Sequence, residues 1–306
     1  MKAAKVLLAC LLAGAAAAQT LQIEGPISGF VFDKLSGSLR PILGLPGAAY
    51  VGEPVVAGLD WASVAPGGSA ALVSRDNVLY RVDHLARLAP VFQPVENVRL
   101  NPDDAAWSDD GSVAAIYSAR SGLAQVIRNA RAGPAAGEPL ELGAVTALAV
   151  DREGRLIAGT AEGVCLFGET GRTALLPGVR AGVLTVAGSS LFVAASGEVW
   201  RVEEYAAQPR PLVVAVTADP VGLALSSDGR RLFIAQRTGC NVLVHDLASR
   251  TPVAELGLDA EPSTLIRLSG ADLWLLRPSH SLAEPLLVLK TEPEPSVWFI
   301  PAGKGE

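Results

Sequence analysis

Short apolar segments alternate with polar turns along most of the chain, and residues 220–255 show this pattern most completely. Three apolar segments of this stretch are separated by polar turns, and they are Val221–Leu225, Leu232–Ala235 and Val242–His245. Asp228-Gly229 lies in the first turn, where glycine can adopt the positive φ that tight hairpins need. A polar turn at Asp246–Thr251 leads to a fourth segment near Val253. The stretch therefore predicts four short antiparallel strands in one sheet.

The same hairpin recurs at intervals near 40 residues. Six turn positions are separated by 43, 43, 35, 40 and 41 residues, in the order Gly68, Gly111, Gly154, Ser189, Gly229 and Gly270. A four-stranded sheet with two apolar faces must stack on neighbouring sheets to leave water. A repeat of this length and strand pattern therefore predicts an all-β fold, a β-propeller, and argues against an immunoglobulin-like sandwich.

The two ends of the chain are expected to complete the ring. Ser28–Ile42 follows the same order as Asn241–Val253, with a strand, an aspartate, a polar turn and a second strand, so it resembles the outer half of a blade. Ser296–Ile300 predicts a last strand. We expect these N- and C-terminal strands to share one sheet, which closes the ring and hides two open sheet edges. The prediction is seven blades of four antiparallel strands; the alternative is six blades, with the N-terminal strands completing the last one.

Two segments resemble repeats of known propeller families. Residues 220–255 are similar to the YVTN-type repeat, in positions that include Ser226, Asp228-Gly229, Asn241, Val242, Val244 and Asp246. Asp104–Tyr117 resembles the W-S-x-D-G repeat of TolB-type propellers. The resemblance implies a β-propeller of the wider WD40-like superfamily. Members of that superfamily mostly bind proteins, peptides or small ligands, and a minority are hydrolases, lactonases or dehydrogenases, so the fold alone does not decide the function.

The first 18 residues have the physical character of a secretory signal peptide. Lys2 and Lys5 are followed by the short apolar run Val6–Ala13, and small residues at 16–18 precede Gln19. The apolar run is too short for a convincing membrane-spanning helix, so no transmembrane segment is expected after cleavage. We expect residues 19–306 to form a single exported domain, in the periplasm or outside the cell. The alternative is a lipoprotein attached through Cys10, because Leu7–Cys10 resembles a lipobox.

Charge and cysteine content narrow the range of partners. The formal net charge is −6, and removal of Lys2 and Lys5 makes it more negative by two. A mildly acidic surface argues against nucleic acid and against anionic membranes as partners. The two cysteines beyond the leader, Cys165 and Cys240, fall two blades apart, so a disulfide between them is not expected. We expect a monomer whose fold depends on core packing.

Motifs for catalysis and for metal binding are missing. His84, His245 and His280 fall in different predicted blades and have no metal-ligand spacing. The densest acidic group matches no calcium loop and is interpreted as cap and turn residues; it consists of Asp103, Asp104, Asp109 and Asp110. The chain has no G-x-S-x-G elbow, no Walker loop and no G-x-G-x-x-G after a strand. The sequence therefore predicts no catalytic residue, no metal and no cofactor.

The candidate ligand site is the mouth of the propeller channel. Loops that lead into the inner strands usually build such sites. Polar and aromatic residues at these positions are Asp60, Trp61, Asp104, Trp107 and Glu261. The other internal tryptophans, Trp200 and Trp274, are expected to pack between blades. If the five site residues were buried between blades, this site would have to be abandoned.

Three functions agree with these observations. The favoured hypothesis is an exported, non-enzymatic β-propeller that binds a protein, a peptide or a small ligand. The first alternative is a metal-dependent enzyme of the lactonase or hydrolase type, whose carboxylates would come one from each blade and leave no local motif. The second alternative is an assembly role in the cell envelope, as in the TolB-type propellers.

Overall fold

The computed structural model describes residues 25–87, 89–128, 133–168, 171–270, 272–277 and 284–301, and all regular structure within them is β-strand. These ranges contain no helix, and therefore none that is long and apolar enough to cross a membrane. The expected signal peptide, the Cys10 lipidation site and His280 lie outside the described residues.

The strands form seven antiparallel sheets, which are numbered here as blades 1 to 7 in chain order. Blade 1 consists of β1 (Ile27–Asp33), β2 (Ser38–Leu43) and β3 (Tyr50–Val51). Blade 2 consists of β4 (Trp61–Val64), β5 (Ala70–Arg75), β6 (Val78–Asp83) and β7 (Val91–Pro94). Blade 3 consists of β8 (Asp104–Trp107), β9 (Ala114–Ser118), β10 (Leu123–Arg128), β11 (Ala135–Ala136) and β12 (Leu140–Glu141). Both β11 and β12 pair with β10, so together they form one interrupted fourth strand.

Blades 4 to 7 have four strands each, in sequential order. Blade 4 consists of β13 (Val145–Val150), β14 (Leu156–Thr160), β15 (Gly163–Gly168) and β16 (Gly171–Pro177). Blade 5 consists of β17 (Val183–Ala187), β18 (Ser190–Ala195), β19 (Glu198–Glu203) and β20 (Arg210–Val216). Blade 6 consists of β21 (Pro220–Leu225), β22 (Arg231–Gln236), β23 (Asn241–Asp246) and β24 (Thr251–Gly257). Blade 7 consists of β25 (Ile266–Arg267), β26 (Leu273–Arg277), β27 (Leu286–Lys290) and β28 (Ser296–Ile300).

Hydrophobic clusters fill the seven gaps between neighbouring blades, one cluster to each gap. Side chains alternate between the two faces of a strand. Along β18, Leu191 and Val193 therefore pack against blade 4, whereas Phe192 packs against blade 6. Full burial of one such side chain is worth about 1.5–3 kcal/mol. The ring is thus held together by apolar contacts on both faces of each sheet. The seven sheets confirm the prediction of seven blades.

The chain ends close the ring by packing and not by sharing a sheet. The prediction that β28 joins the N-terminal strands is wrong, because Leu286–Lys290 pairs with Ser296–Ile300 inside blade 7. Blades 1 and 7 instead meet through a cluster that contains Val31, Ile42 and Leu275. A short hairpin connection makes the pairing of β27 with β28 local, so the last strand has a partner at once. The two terminal blades then hide their apolar faces against each other.

The N-terminal hairpin also takes a different place in its blade from the one expected. Ser28–Ile42 was predicted to be an outer pair, but β1 is the inner strand of blade 1 and lines the central channel with Phe30 and Phe32. The third strand is irregular beyond Val51, where Gly52 N–H donates to the Pro41 carbonyl at 2.8 Å. The order of strand, aspartate and turn is common to any hairpin of the repeat, so it does not distinguish an inner pair from an outer one.

The polar turns of the repeat are built by hydrogen bonds from serine to aspartate. Ser226 Oγ donates to Asp228 Oδ1 at 2.6 Å, and Gly229 has φ +69°. In blade 3, Ser108 Oγ donates to Asp110 Oδ1 at 2.8 Å and Ser112 N–H to the same oxygen at 2.9 Å. Burial alone would raise the pKa of Asp110, but these serine hydrogen bonds outweigh it and hold the pKa at about 2. The interpretation of Asp110 as a turn residue is confirmed.

A buried polar contact joins blades 4 and 5. Tyr205 Oη donates to Asp151 Oδ2 at 2.8 Å, and Arg155 Nε donates to the same oxygen at 2.6 Å. The Arg155 guanidinium also lies 5.7 Å from the centroid of the Tyr205 ring. Burial raises the pKa of Tyr205, and the hydrogen bond to Asp151 adds to this effect. The tyrosine therefore stays protonated and donates across the blade interface.

Candidate functional site

The seven inner strands enclose a central channel with a volume of about 690 Å³. Every blade contributes to it through its inner strand, and these strands are β1, β4, β8, β13, β17, β21 and β25; blade 7 also contributes through β26. Most lining residues are apolar, with alanine, valine and leucine the commonest, so the walls are largely apolar. The polar and aromatic lining residues lie mainly at the two ends of the inner strands. We call the end at which the inner strands begin the strand-start mouth, and the end at which they turn into the second strands the hairpin mouth.

The strand-start mouth contains two of the five predicted site residues. Trp61 and Asp104 begin β4 and β8, and both line the channel. The Asp104 side chain faces the channel, where solvent can reach it, but protein atoms surround it on its other sides. This partial burial raises the pKa of its carboxyl, and the nearby Asp103 carboxylate raises it further. The hydrogen bond from Ala105 N–H, at 2.8 Å, opposes the rise. Asp104 is therefore easier to protonate than an ordinary aspartate.

Trp107 lies at the opposite end of the channel, next to the hairpin turn of blade 3. Its Nε1 donates to Ser63 Oγ at 3.0 Å and so connects blades 3 and 2. Trp61 and Trp107 are both half-buried, because each packs against the core between these blades and also lines the channel. Asp60 and Glu261 are exposed and lie outside the channel lining. The structure thus divides the predicted group into Trp61 and Asp104 at one mouth, Trp107 at the other, and two surface residues.

An arginine from blade 7 spans the hairpin mouth. Arg267 ends β25, and its Nη1 donates to the backbone carbonyl of Asp109 at 3.2 Å. Blades 7 and 3 are not neighbours in the ring, so this bond crosses the channel opening. The Asp109 carboxylate itself is held by Arg152 of blade 4, with Nε–Oδ1 at 2.6 Å and Nη2–Oδ2 at 2.7 Å. Lys34, after β1, lines the same mouth.

Trp274 adds a second donor beside this arginine. It lies directly opposite Arg267 in the pairing of β25 with β26, so both side chains leave the same face of the sheet. Trp274 packs against the core between blades 6 and 7, as predicted, and it also lines the channel. Its indole Nε1 is buried and has no hydrogen-bond partner among the described residues. A buried donor without an acceptor is costly.

Sequence reasoning missed the residues that matter most at the hairpin mouth. Arg267 is one of 20 arginines scattered over the blades, and nothing in its neighbourhood distinguishes it. Asp109 was assigned to a turn, which is its place in the fold, but its contacts with Arg152 and Arg267 come from two other blades. The only signal in the sequence was the position of the two residues: Arg267 is the last residue of an inner strand, and Asp109 lies two residues after the end of one.

The described residues contain no group of three or more histidine, cysteine, aspartate or glutamate side chains that could hold a metal ion. The acidic group of blade 3 is dispersed: Asp103 accepts from Ala119 N–H at 2.7 Å, Asp110 closes its own turn, and Asp109 pairs with Arg152. His84 is exposed. His245 is buried beside a shallow apolar groove on the outer faces of blades 5 and 6, and burial lowers the pKa of its imidazole. Cys165 and Cys240 are free thiols.

No protein-family model and no curated protein matches this chain. Solved structures match it in fold. A candidate 6-phosphogluconolactonase from Bacteroides fragilis superposes with a TM-score of 0.62 at 12% identity, over 90% of this chain and 95% of the other. PorZ, a surface component of the type IX secretion system of Porphyromonas gingivalis, superposes with a TM-score of 0.60 at 16% identity. That match covers 91% of this chain and 37% of PorZ.

A protein of unknown function from Desulfotomaculum acetoxidans superposes with a TM-score of 0.52 at 12% identity, over 78% of each chain. Because all three identities are this low, the likenesses establish the β-propeller fold and nothing about activity. They agree with the YVTN-type and WD40-like resemblance at the level of architecture.

Proposed function

We propose that this protein is an exported, non-enzymatic β-propeller that binds a small ligand in its central channel. The observation that carries the proposal is the channel, with about 690 Å³ of space and walls supplied by all seven blades. Small-molecule sites usually have volumes of roughly 300–1,000 Å³, apolar walls and a few polar groups. The channel fits that description, with Trp61, Asp104, Trp107, Arg267 and Trp274 as its larger lining side chains.

We favour a small ligand over a protein or a peptide because of where the polar and aromatic lining residues of the channel lie. Most of the polar lining residues lie toward the ends of a largely apolar tunnel. A folded partner could reach only the rims of such a tunnel, whereas a small ligand could contact all seven inner strands. Export is proposed on the leader-like sequence of residues 1–18, with Lys2, Lys5 and a short apolar run.

A channel-blocking variant tests the binding site. Gly182 lines the channel, is exposed, and has room for a side chain, since the nearest atom to an added Cβ is 3.9 Å away. Gly182→Phe should therefore fill part of the channel without disturbing the core. Gly257→Phe is the matched control, because Gly257 lies on the outer strand β24 and nothing comes within 4 Å of an added Cβ.

The experiment screens the purified protein against a library of small metabolites by thermal shift, with tryptophan fluorescence as a second readout. We expect at least one compound to raise the melting temperature of the wild type and of Gly257→Phe, but not that of Gly182→Phe. Equal shifts in all three proteins would place the ligand outside the channel. A library with no binding compound would contradict the proposal.

Two further measurements separate the alternatives. Metal analysis of the purified protein that returns a tightly held, stoichiometric ion, together with hydrolysis of lactones, would favour a propeller enzyme. Recovery of one stoichiometric protein partner from the envelope fraction would favour an assembly role. Fractionation of cells that express the full chain, with and without residues 2–18, tests export.

A further inference from the structure

Arg267, at the hairpin mouth, forms no ion pair with any of the described residues. Its Nη1 and Nε donate to the backbone carbonyls of Asp109 and Gly270, each at 3.2 Å. Within the described ranges, no carboxylate oxygen lies within ion-pair distance of its guanidinium. The other arginine of this mouth, Arg152, is bound by both oxygens of Asp109. A half-buried guanidinium without a nearby anion carries a desolvation cost, because burial removes part of its hydration and no opposite charge replaces it.

The nearby acidic groups do not supply the missing charge. The Asp109 carboxylate is taken up by Arg152, and Asp110 closes its turn with Ser108 and Ser112. Lys34 lines the same mouth and adds a second positive charge from blade 1. Of the charged residues that line the channel at this opening, Lys34 and Arg267 are positive and Asp109 is negative, on a protein whose overall formal charge is −6.

The indole of Trp274 is an independent second observation at this place. Its Nε1 is buried, lacks an acceptor within the described part of the chain, and belongs to a residue that lines the channel. Because Trp274 is the cross-strand partner of Arg267, the two donors leave the same sheet face side by side. Protein atoms cover Nε1 in this structure, so one acceptor group at the end of the channel satisfies both donors once the indole ring turns toward it.

We infer that the channel ligand carries a single anionic group, a carboxylate, which binds Arg267 and the Trp274 indole N–H at the hairpin mouth while an apolar body fills the channel. This inference rests on the proposed function. A carboxylate fits because it accepts two parallel hydrogen bonds and carries one negative charge. A polyanion fits less well, because the two donors that lie side by side are one guanidinium and one neutral indole, whereas Lys34 comes from another blade and the Asp109 carboxylate lies close by. The apolar walls made by alanine, valine and leucine complement a hydrocarbon or aromatic body.

Two probes of the same shape and different charge test the inference. They are 1-naphthylacetate, an aromatic carboxylate, and 1-naphthylacetamide, its neutral amide. Binding of both to the purified protein is measured by isothermal titration calorimetry at pH 7 and low ionic strength. We expect the carboxylate to bind about tenfold or more tightly than the amide, as a charge-assisted hydrogen bond allows.

Three variants assign this preference to residues. Arg267→Met keeps most of the side-chain volume and should abolish the preference, whereas Arg267→Lys should keep part of it. Trp274→Phe removes the indole donor together with one ring and should reduce the preference. Arg230→Met is the matched control, since Arg230 lies in the hairpin turn of blade 6 with its side chain 81% exposed. Melting temperatures without ligand show whether each variant is folded.

The outcomes are distinct from those of the channel test. A preference for the carboxylate that Arg267→Met removes and Arg230→Met retains supports the inference. Equal binding of the two probes, binding of neither, or a preference unchanged in folded Arg267→Met overturns it. If neutral library compounds still bind in a manner that Gly182→Phe abolishes, the proposed function survives without the anionic group. If nothing binds in the channel at all, both fail.

Discussion

Arg267 and Asp109 are 158 residues apart in the sequence, yet Arg267 Nη1 donates to the Asp109 carbonyl at 3.2 Å across the channel opening. Arg267 is the last residue of β25 in blade 7, and Asp109 lies two residues after the end of β8 in blade 3. Their contact partly covers the hairpin mouth, while the side chains around the strand-start mouth include Trp61 and Asp104. A ligand that enters from the strand-start mouth therefore passes Trp61 and Asp104, then the apolar walls, and meets the arginine last.

The contact between Tyr205 and Asp151 should contribute measurably to stability. Tyr205→Phe keeps the ring but removes the hydrogen bond to a buried carboxylate, which still accepts from Arg155. We expect a loss of about 1–3 kcal/mol in the free energy of unfolding, measured by urea denaturation. Tyr50→Phe is the control, because Tyr50 is 54% exposed. Equal midpoints for the two variants would show that the contact adds nothing.

Acid should weaken the fold partly through Asp110. Its pKa is held at about 2, below the ordinary value of 3.8, so the unfolded chain takes up this proton first. The stabilisation from the carboxylate is therefore complete above pH 3.8 and is lost as the pH falls to about 2. Because the group is partly solvated, we expect about 1–2 kcal/mol.

The comparison for this prediction is Asp110→Asn, which cannot titrate. Its stability should depend less steeply on pH than that of the wild type in the acid range. Glu261→Gln, an exposed substitution, should leave the slope unchanged. Parallel curves for wild type and Asp110→Asn would contradict the assignment.

Asp104 should have the opposite effect on stability. Burial raises the pKa of its carboxyl in the folded protein, so the ionised form is penalised in the fold. Asp104→Asn removes this penalty and should melt at a higher temperature than the wild type at pH 7. The difference should vanish as the pH falls below 3.8, where the carboxyl is protonated in both states. Thermal melts at a series of pH values check this, and a destabilised variant at pH 7 would refute it.

The inner strands of blades 6 and 7 approach each other so closely that only glycine fits at position 222. A Cβ there would lie 2.6 Å from Leu265 N and 2.8 Å from Thr264 C, both backbone atoms that cannot move aside. We expect Gly222→Ala to destabilise the protein by about 1–3 kcal/mol in chemical denaturation. Gly257→Ala, with open space around it, should be neutral or slightly stabilising. If both variants unfold at the same denaturant concentration, the blades do not approach as described.

The local sequence predicted the blades well because each one is made by neighbours in the chain. The strands proposed around Ser226-Ser227-Asp228-Gly229 agree with β21 to β24 within about two residues, and Asp104, expected in a loop that leads into an inner strand, is the first residue of that strand. Alternation of apolar and polar residues fixes which face of a strand is buried, and glycine-containing turns fix where the chain reverses. Both features act within one hairpin, so residues that are close in the sequence are enough to predict it.

Sequence alone could not decide what depends on the whole ring. The last strand pairs inside blade 7, and Phe30 belongs to an inner strand, because blade packing and not the hairpin pattern assigns inner and outer positions. Trp107 lies at the far mouth from Asp104 because one short strand spans the channel wall. The hydrogen bond from Arg267 to the Asp109 carbonyl exists only after the seven blades converge on an axis. The same is true of the position of Trp274, whose indole N–H has no acceptor among the described residues. Contacts between side chains of different blades leave no motif in the sequence.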